Sequence, residues 1–124
     1  MAAQCVLVVE DNEKNMKLFR DVLQARSYVT LEAHTGERAV ELAVSHLPGL
    51  VLMDVQLPGI DGSEALARLR NDARTAPIPV IALTAQAMHG DRERFLEAGF
   101  DGYLSKPVDV IELLRVVGEH CDRD

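Results

Sequence analysis

The chain of 124 residues has the length of one domain and is long enough to bury a single substantial core. Its 20 acidic residues outnumber its 13 basic ones, and the resulting net charge of −7 argues against nucleic-acid binding, which needs a clustered basic face. No apolar stretch is long enough to span a bilayer, and the N-terminus lacks a secretory signal, so we expect a cytoplasmic protein that does not enter membranes.

Five short apolar runs divide the chain at regular intervals. Runs of this kind, rich in β-branched residues and without alternation, are typical of strands buried on both faces of a parallel sheet. The second run alternates more than the others, as an edge strand does. The predicted strands cover residues 5–9, 28–32, 50–53, 80–83 and 102–105.

Helical patterns lie between and after these runs. Ser63 is predicted to cap the third helix, Asp109 and Glu112 to form a capping box on the fifth, and Gly99 to end the fourth, which covers 91–98. The first helix ends near Ser27, where a glycine would ordinarily supply the left-handed residue; a positive φ at Ser27 would cost about 1 kcal/mol. The predicted core positions of helices 1, 2, 3 and 5 are, in that order, Met16, Phe19, Val22 and Leu23; Ala39, Val40, Ala43, Val44 and Leu47; Ala65, Leu66 and Leu69; and Ile111, Leu114 and Val117.

The order βαβαβαβαβα with short connections predicts an α/β fold, a doubly wound five-stranded parallel sheet with five helices. In the flavodoxin-like strand order 2-1-3-4-5, the chain reverses direction between strands 1 and 3 and leaves a crevice at their carboxyl ends. The elements account for the whole chain, so residues 1–124 are predicted to form a single domain.

A chemically capable residue ends or follows four of the five predicted strands. Three carboxylates that meet at one sheet edge repel one another and need a cation, and oxygen ligands alone favour Mg²⁺. A carboxylate can attack phosphorus, while an ammonium and a hydroxyl can hold the phosphoryl oxygens. The alternative is that these are solvated acids, a surface lysine and a threonine chosen for β propensity. The residues concerned are Glu10, Asp11, Asp54, Thr84 and Lys106.

Three minor features are also predicted from the residues. Cys5 and Cys121 lie near opposite ends of the chain and are expected to be free thiols. Proline after Lys106 indicates a special turn, so we predict a cis bond at Pro107. The histidines show no metal-ligand spacing and are expected at the surface; they are His34, His46, His89 and His120.

The motifs at 9–12, 53–62, 83–85 and 106–107 together resemble the CheY-like receiver domain of two-component response regulators. The resemblance covers essentially the whole chain, and stretches after strand 1 and around strand 5 resemble single-domain regulators and the receivers of hybrid histidine kinases. It implies that Asp54 is the phosphoacceptor. It also implies that Asp11, Asp54 and the backbone carbonyl of Gln56 bind Mg²⁺, with Glu10 assisting through water.

The resemblance assigns further roles around the phosphoryl group. Thr84 and Lys106 would contact it, and Tyr103 would be the switch aromatic whose rotamer follows Thr84. Gln56 and Gln86 stand two residues after Asp54 and Thr84, at positions that tune phosphoryl lifetime. Because neutral amides offer no general base for water, we expect slow self-hydrolysis and no enzymatic activity beyond this self-phosphorylation and self-dephosphorylation.

The partners implied by the resemblance are proteins. A histidine kinase or a histidine phosphotransfer protein would dock over the first helix, near Asn12, Asn15 and Met16. A downstream protein would read the surface formed by the fourth helix, fifth strand and fifth helix around Tyr103. A stand-alone regulator, monomeric or weakly dimeric, is favoured over a receiver excised from a hybrid histidine kinase.

Two other classes of protein fit these residues less well. An aspartate-nucleophile phosphatase resembling haloacid dehalogenases needs a second aspartate two residues after the first, and that position is Gln56. A flavodoxin-like cofactor carrier needs a hydroxyl- and glycine-rich loop after strand 1, whereas the acids at 10–11 would repel the flavin phosphate.

Overall fold

The computed structural model describes residues 4–85 and 91–121 and shows one parallel sheet with helices on both faces. The strand order is β2-β1-β3-β4-β5, so the predicted doubly wound order is confirmed, with the second strand at an edge. The elements are β1 (Cys5–Val9), α1 (Glu13–Ala25), β2 (Val29–Ala33), α2 (Gly36–His46), β3 (Leu50–Asp54), α3 (Gly62–Arg70), β4 (Val80–Thr84), α4 (Asp91–Ala98), β5 (Gly102–Ser105) and α5 (Val110–Cys121).

Strand register aligns the carboxyl ends of β1, β3, β4 and β5. Val9 at the end of β1 pairs with Met53 of β3, and Asp54 pairs with Leu83 of β4. Thr84 in turn pairs with Ser105 at the end of β5. The residues that end or follow these strands therefore lie along a single edge of the sheet, as the open parallel topology requires.

Two hydrophobic clusters cover the two faces of the sheet. Side chains of β1, β3 and β4 alternate between them, which explains why these strands read as continuous apolar runs. The cluster beneath α1 and α5 includes Met16, Phe19, Leu23, Leu113, Val116 and Val117. The cluster beneath α2, α3 and α4 includes Ala39, Leu42, Ala43, Ala65, Leu66, Leu69 and Phe95.

The prediction of which side of α5 faces the core was wrong. Ile111 is 80% exposed, and Leu114 is only half-buried, whereas Leu113 and Val116 lie in the core with the correctly predicted Val117. Apolar residues occupy both sides of this helix, so periodicity alone does not say which side meets the sheet. Packing against the sheet buries the side that carries Leu113 and Val116.

The predicted face of α2 needs a similar correction at its end. Leu47 is 53% exposed because it is the C-cap, with a φ of 47°, and its side chain has left the helical stripe. Leu42, which was not predicted, is buried in its place. Val40 and Val44 of α2, like Val22 of α1, are half-buried.

Helix caps confirm most of the predicted starts and stops. Asp109 accepts hydrogen bonds from the backbone of Ile111 and Glu112, and Gly99 and Ser27 have positive φ of 110° and 69°. The predicted cap of α3 was wrong: Asp61, not Ser63, accepts the hydrogen bond of the Glu64 backbone, at 2.9 Å. The helix begins two residues earlier because Gly62 packs directly against β3.

The minor features agree with prediction in the described residues, except that one histidine is less exposed than expected. Cys5 and Cys121 are both free, the second of them buried. His34 and His46 are exposed and His120 is half-buried, while His89 lies outside the described residues. Among the described helices, none has the length and apolar character needed to cross a bilayer.

Candidate functional site

Each chemically capable residue lies where its strand ends, at the common edge of the sheet. Glu10 follows β1 and is fully buried, and Asp54 and Thr84 end β3 and β4 with only 5% and 4% exposure. Lys106 follows β5, and its side chain is 17% exposed. Asp11 is exposed at the mouth of the site. The fold thus brings together all five residues predicted from the strand ends.

Lys106 is the cation that joins the two buried acids. Its Nζ lies 2.6 Å from Asp54 Oδ2 and 2.6 Å from Glu10 Oε1. Desolvation lowers the pKa of Lys106, but hydrogen bonds and charges from both carboxylates outweigh it, so the pKa is raised overall. The Lys106–Pro107 peptide bond is cis, as predicted.

Glu10 is a buried carboxylate with several partners. Its burial raises its pKa, hydrogen bonds from Lys106 and from the Asn12 backbone oppose that rise, and the neighbouring Asp54 adds to it. The pKa therefore lies above its ordinary value. Two acids and one lysine leave one negative charge in excess at the buried part of the site, before exposed Asp11 is counted.

The carboxylate of Asp54 is oriented from two sides. Oδ1 accepts a hydrogen bond from the Gln56 backbone at 2.8 Å, and Oδ2 accepts one from Lys106 at 2.6 Å. Behind it, Gly62 lies so close that a Cβ there would be 2.5 Å from the Asp54 carbonyl oxygen. Glycine at this position is what allows α3 to begin against the end of β3.

The donor set fits a divalent cation. Glu10, Asp11 and Asp54 each offer a carboxylate oxygen, and these oxygens all lie within 4.8 Å of one another. They line an open cavity of about 720 Å³ together with Asn15 and Gln56. Oxygen ligands without nitrogen or sulfur suit Mg²⁺, and the excess negative charge favours any such cation.

Strands β4 and β5 carry two further residues of the predicted site, Thr84 and Tyr103. The Thr84 carbonyl accepts a hydrogen bond from the Lys106 backbone at 2.7 Å, which ties the ends of β4 and β5 together. Tyr103 is half-buried, and its ring centroid lies 5.8 Å from that of Phe95 on α4. The second predicted tuning residue, Gln86, lies outside the described residues.

Asn12 and Asn15 have roles that sequence reasoning missed. Both were predicted only as part of a docking surface, yet Asn12 caps α1 and both hydrogen bond to Glu10. The available signal was their spacing, because an asparagine cap followed by a polar residue three positions later is a helix start. The hydrogen bonds of these two asparagines to Glu10 could not be predicted from spacing.

With this geometry established, comparison with known families defines the class. The family model of the response regulator receiver domain matches residues 6–118. The chain therefore belongs to the receiver domains of two-component systems. Among individual proteins, it is similar to the polar-differentiation response regulator DivK of Brucella ovis, with 46% identity over 112 residues that cover 90% of this chain and 91% of that one.

Two solved structures extend the comparison. The receiver domain of sensor histidine kinase PA1611 from Pseudomonas aeruginosa PAO1, solved with a magnesium ion in its active-site cleft, is 36% identical with a TM-score of 0.89, and the match covers 98% of this chain and 100% of that one. The receiver domain of Saccharomyces cerevisiae Ssk1, crystallised with the histidine phosphotransfer protein Ypd1, is 29% identical with a TM-score of 0.88, covering 97% and 90%.

Proposed function

We propose that this receiver accepts a phosphoryl group on Asp54 in a Mg²⁺-dependent reaction and passes the signal on through protein contacts. The observation that carries the proposal is the position of Asp54 between Lys106 Nζ, at 2.6 Å, and the acidic group that includes Glu10 and Asp11. A nucleophilic carboxylate, a fixed positive charge and a cation site within one cavity are the parts that phosphoryl transfer needs.

In the proposed reaction, an Asp54 carboxylate oxygen attacks the phosphorus of a phosphohistidine. The new oxygen–phosphorus bond forms as the phosphorus–nitrogen bond breaks, and the histidine nitrogen keeps the electron pair of that bond. Lys106 leaves Asp54 Oδ2 to pair with a phosphoryl oxygen, and the Thr84 hydroxyl donates to another. The backbone N–H of Gln56 continues to orient the attacking carboxylate through Oδ1.

The proposed metal ligands are Asp11, Asp54 and the backbone carbonyl of Gln56, with Glu10 assisting through water. Bound Mg²⁺ neutralises charge on the transferring phosphoryl group. Support comes from the three convergent carboxylates of this chain and from the magnesium described in the cleft of the PA1611 receiver. Asp11, being exposed, is free to turn toward the ion.

We further propose that the protein does not turn over small phosphate esters. Gln56 stands where a phosphatase of the aspartate-nucleophile class has its acid, and an amide cannot give up a proton. The same residue, with Gln86, leaves the acyl phosphate without a general base, so its self-hydrolysis is slow. The protein then serves as a signal carrier rather than as an enzyme.

The proposed phosphodonor is a histidine kinase or a histidine phosphotransfer protein that docks over α1 near Asn12, Asn15 and Met16. The crystallised pair of Ypd1 with the Ssk1 receiver supports this class of partner. A downstream protein reads the surface of α4, β5 and α5 beside Tyr103, where an added phosphoryl charge biases the local packing. We propose a monomer or weak dimer.

The test is a mass measurement of the protein after incubation with a small-molecule acyl phosphate, and then with purified histidine kinases, with and without Mg²⁺. We expect one phosphoryl group on the wild type and on Asp109→Asn, and none on Asp54→Asn. Asp109 is an exposed helix cap that does not line the cavity, and asparagine preserves the cap. Equal labelling of Asp54→Asn, or full labelling without a divalent cation, would refute the assignment.

A further inference from the structure

Glu10, Asn12 and Asn15 form a closed ring of hydrogen bonds where β1 passes into α1. The Asn12 backbone donates to Glu10 Oε2 at 3.2 Å, and the Asn15 backbone donates to Asn12 Oδ1 at 3.1 Å. The ring closes where the Asn15 side-chain amide donates to Glu10 Oε1 at 3.4 Å. The first turn of the helix and the buried acid of the site are therefore one hydrogen-bonded unit.

This ring differs from an ordinary capping box. In a capping box, the side chain three residues after the cap accepts the N–H of the capping residue. Here Glu10 accepts the N–H of Asn12, and this frees the Asn15 side chain to act as a donor. A donor at that position is directed to Glu10 Oε1, the same oxygen that Lys106 approaches at 2.6 Å.

We propose that Asn15 is a positioning residue: its amide holds the carboxylate of Glu10 in the orientation that faces Asp11 and Asp54, and thereby sets the affinity of the site for a divalent cation. The inference rests on the proposed function through the cation site, and its consequence for a partner rests on the proposed docking of a phosphodonor on α1. Without Asn15, the Asn12 backbone would hold Oε2 and Lys106 would hold Oε1. The amide of Asn15 adds a second partner to Oε1, from the side of α1, and so further restrains a fully buried carboxylate.

Asn15 also connects the acid to the protein surface. It is half-buried, lines the cavity, and lies one turn before Leu18, which is 39% exposed on the same helix. A phosphodonor seated on this part of α1 covers Asn15 and limits the movement of its amide. A phosphodonor protein that stabilises the hydrogen-bonded ring therefore increases the affinity for the cation. By thermodynamic linkage, the cation increases the affinity for the phosphodonor protein by the same factor.

The test is calorimetric titration of Mg²⁺ into the wild type and Asn15→Leu, a variant of similar side-chain size that lacks the donor. We expect binding about fivefold weaker in Asn15→Leu, the loss of one hydrogen bond to a charged group at a long distance. Lys14→Leu, a neighbouring exposed position, is the control and should bind as the wild type does. Asn15→Ala provides a second removal of the amide.

A double-mutant cycle with Glu10→Gln separates positioning from a general effect on the helix. If Asn15 acts through Glu10, adding Asn15→Leu to Glu10→Gln leaves the Mg²⁺ affinity unchanged from that of Glu10→Gln. Additive losses, or equal affinities of the wild type and Asn15→Leu, overturn the inference. Absence of Mg²⁺ binding by the wild type counts against the proposed function instead, so the two failures are distinguishable.

Discussion

Lys106 Nζ donates a hydrogen bond to Asp54 Oδ2 at 2.6 Å, although 52 positions of sequence separate the two residues. Parallel pairing of β3 with β4 and of β4 with β5 brings these residues to the same edge of the sheet. The lysine also reaches Glu10, so one ammonium partly neutralises two buried carboxylates. This shared cation determines how the site responds to substitution, to pH and to metal.

Replacing Lys106 by methionine should destabilise the protein when no divalent cation is present. Because Glu10 and Asp54 would then be buried like charges, we expect the free energy of unfolding to fall by about 2 kcal/mol. Mg²⁺ should restore more stability to Lys106→Met than it adds to the wild type, since it no longer competes with the ammonium. Urea unfolding with and without Mg²⁺ measures both effects.

The matched control is Lys17→Met. Its ion pair with Asp21 lies at the surface, with side chains 67% and 55% exposed. Its loss should change the free energy of unfolding by less than about 0.5 kcal/mol, and Mg²⁺ should not alter that difference. A loss of equal size in the two variants would show that burial of the acids does not matter.

Glu10→Gln should stabilise the metal-free protein in a manner that depends on pH. Burial raises the pKa of Glu10 above its ordinary 4.5, so the folded state favours the protonated carboxyl. That contribution is fully present below the unfolded pKa and is lost as the pH rises through the higher folded pKa. Glutamine resembles the protonated form at every pH. The free energy of unfolding of the variant should therefore increase relative to that of the wild type as the pH rises.

Chemical unfolding of both proteins in chelator from about pH 4 to pH 8 measures this gain. Mg²⁺ should reduce it at the upper end, because the ion stabilises the charged carboxylate. Glu41→Gln, which removes an exposed acid paired with Arg38, is the control for loss of one surface charge. An advantage of Glu10→Gln that is larger at pH 4 than at pH 8 would contradict the assigned direction.

Gly62→Ala should disturb both stability and the site. A Cβ at this position would lie 2.5 Å from the Asp54 carbonyl oxygen and 2.8 Å from Val55 Cα, and backbone atoms cannot move aside without shifting the strand end. We expect a loss of about 2 kcal/mol in the free energy of unfolding and weaker cation binding. Thermal unfolding and Mg²⁺ titration measure the two losses.

Gly49→Ala is the control for this prediction. The nearest atom to its added Cβ is the end of the flexible Gln4 side chain, at 3.1 Å, and the backbone there has no positive φ. The change should lie between neutral and a gain of about 1 kcal/mol, since alanine restricts the unfolded chain. If the two alanine variants proved equally stable, close packing of α3 on β3 would be disproved.

Arg70→Gln should loosen the end of α4. The guanidinium donates to the carbonyls of Ala76, Ile78 and Gly99 and to Asp101 Oδ2, at distances from 2.6 to 3.0 Å. Losing these bonds should cost about 2 kcal/mol of unfolding free energy and increase amide exchange near Gly99. Hydrogen exchange and urea unfolding measure the two effects.

The neighbouring Arg68→Gln is the matched control for Arg70. Arg68 makes an exposed pair with Glu64 one turn away on α3. Such pairs contribute about 0.3–0.5 kcal/mol, so this variant should unfold almost as the wild type does. Similar losses for Arg68→Gln and Arg70→Gln would indicate that the contacts of Arg70 across the fold add nothing.

Local signals in the sequence were sufficient to predict the strands and the residues that lie at the site. The apolar runs predicted all five strands to within one residue at each end. The polar residues that end or follow four of these strands lie at the predicted edge of the sheet. The end of the helical pattern also marked Ser27 as the position where a left-handed residue would be needed, and its φ is positive. Such features depend on neighbours within a few residues of the chain.

Features that depend on distant neighbours were predicted less well. Ile111 was placed in the core, because both sides of α5 carry apolar residues and the angle at which the helix meets the sheet is not encoded locally. The sequence indicated Ser63 as the cap of α3, whereas Asp61 is the cap in the structure, because contact of Gly62 with β3 determines where the helix begins. Each error reflects a contact between separate elements.

The sequence by itself determined which residue types stand at the strand ends, and hence that a cation and a phosphoryl group could be held there. Only the tertiary structure decided that Lys106 lies between Glu10 and Asp54, and that Asn15 completes a hydrogen-bonded ring with Glu10. The physical reason is that distances between side chains come from strand register and helix packing, which long-range burial of apolar surface establishes.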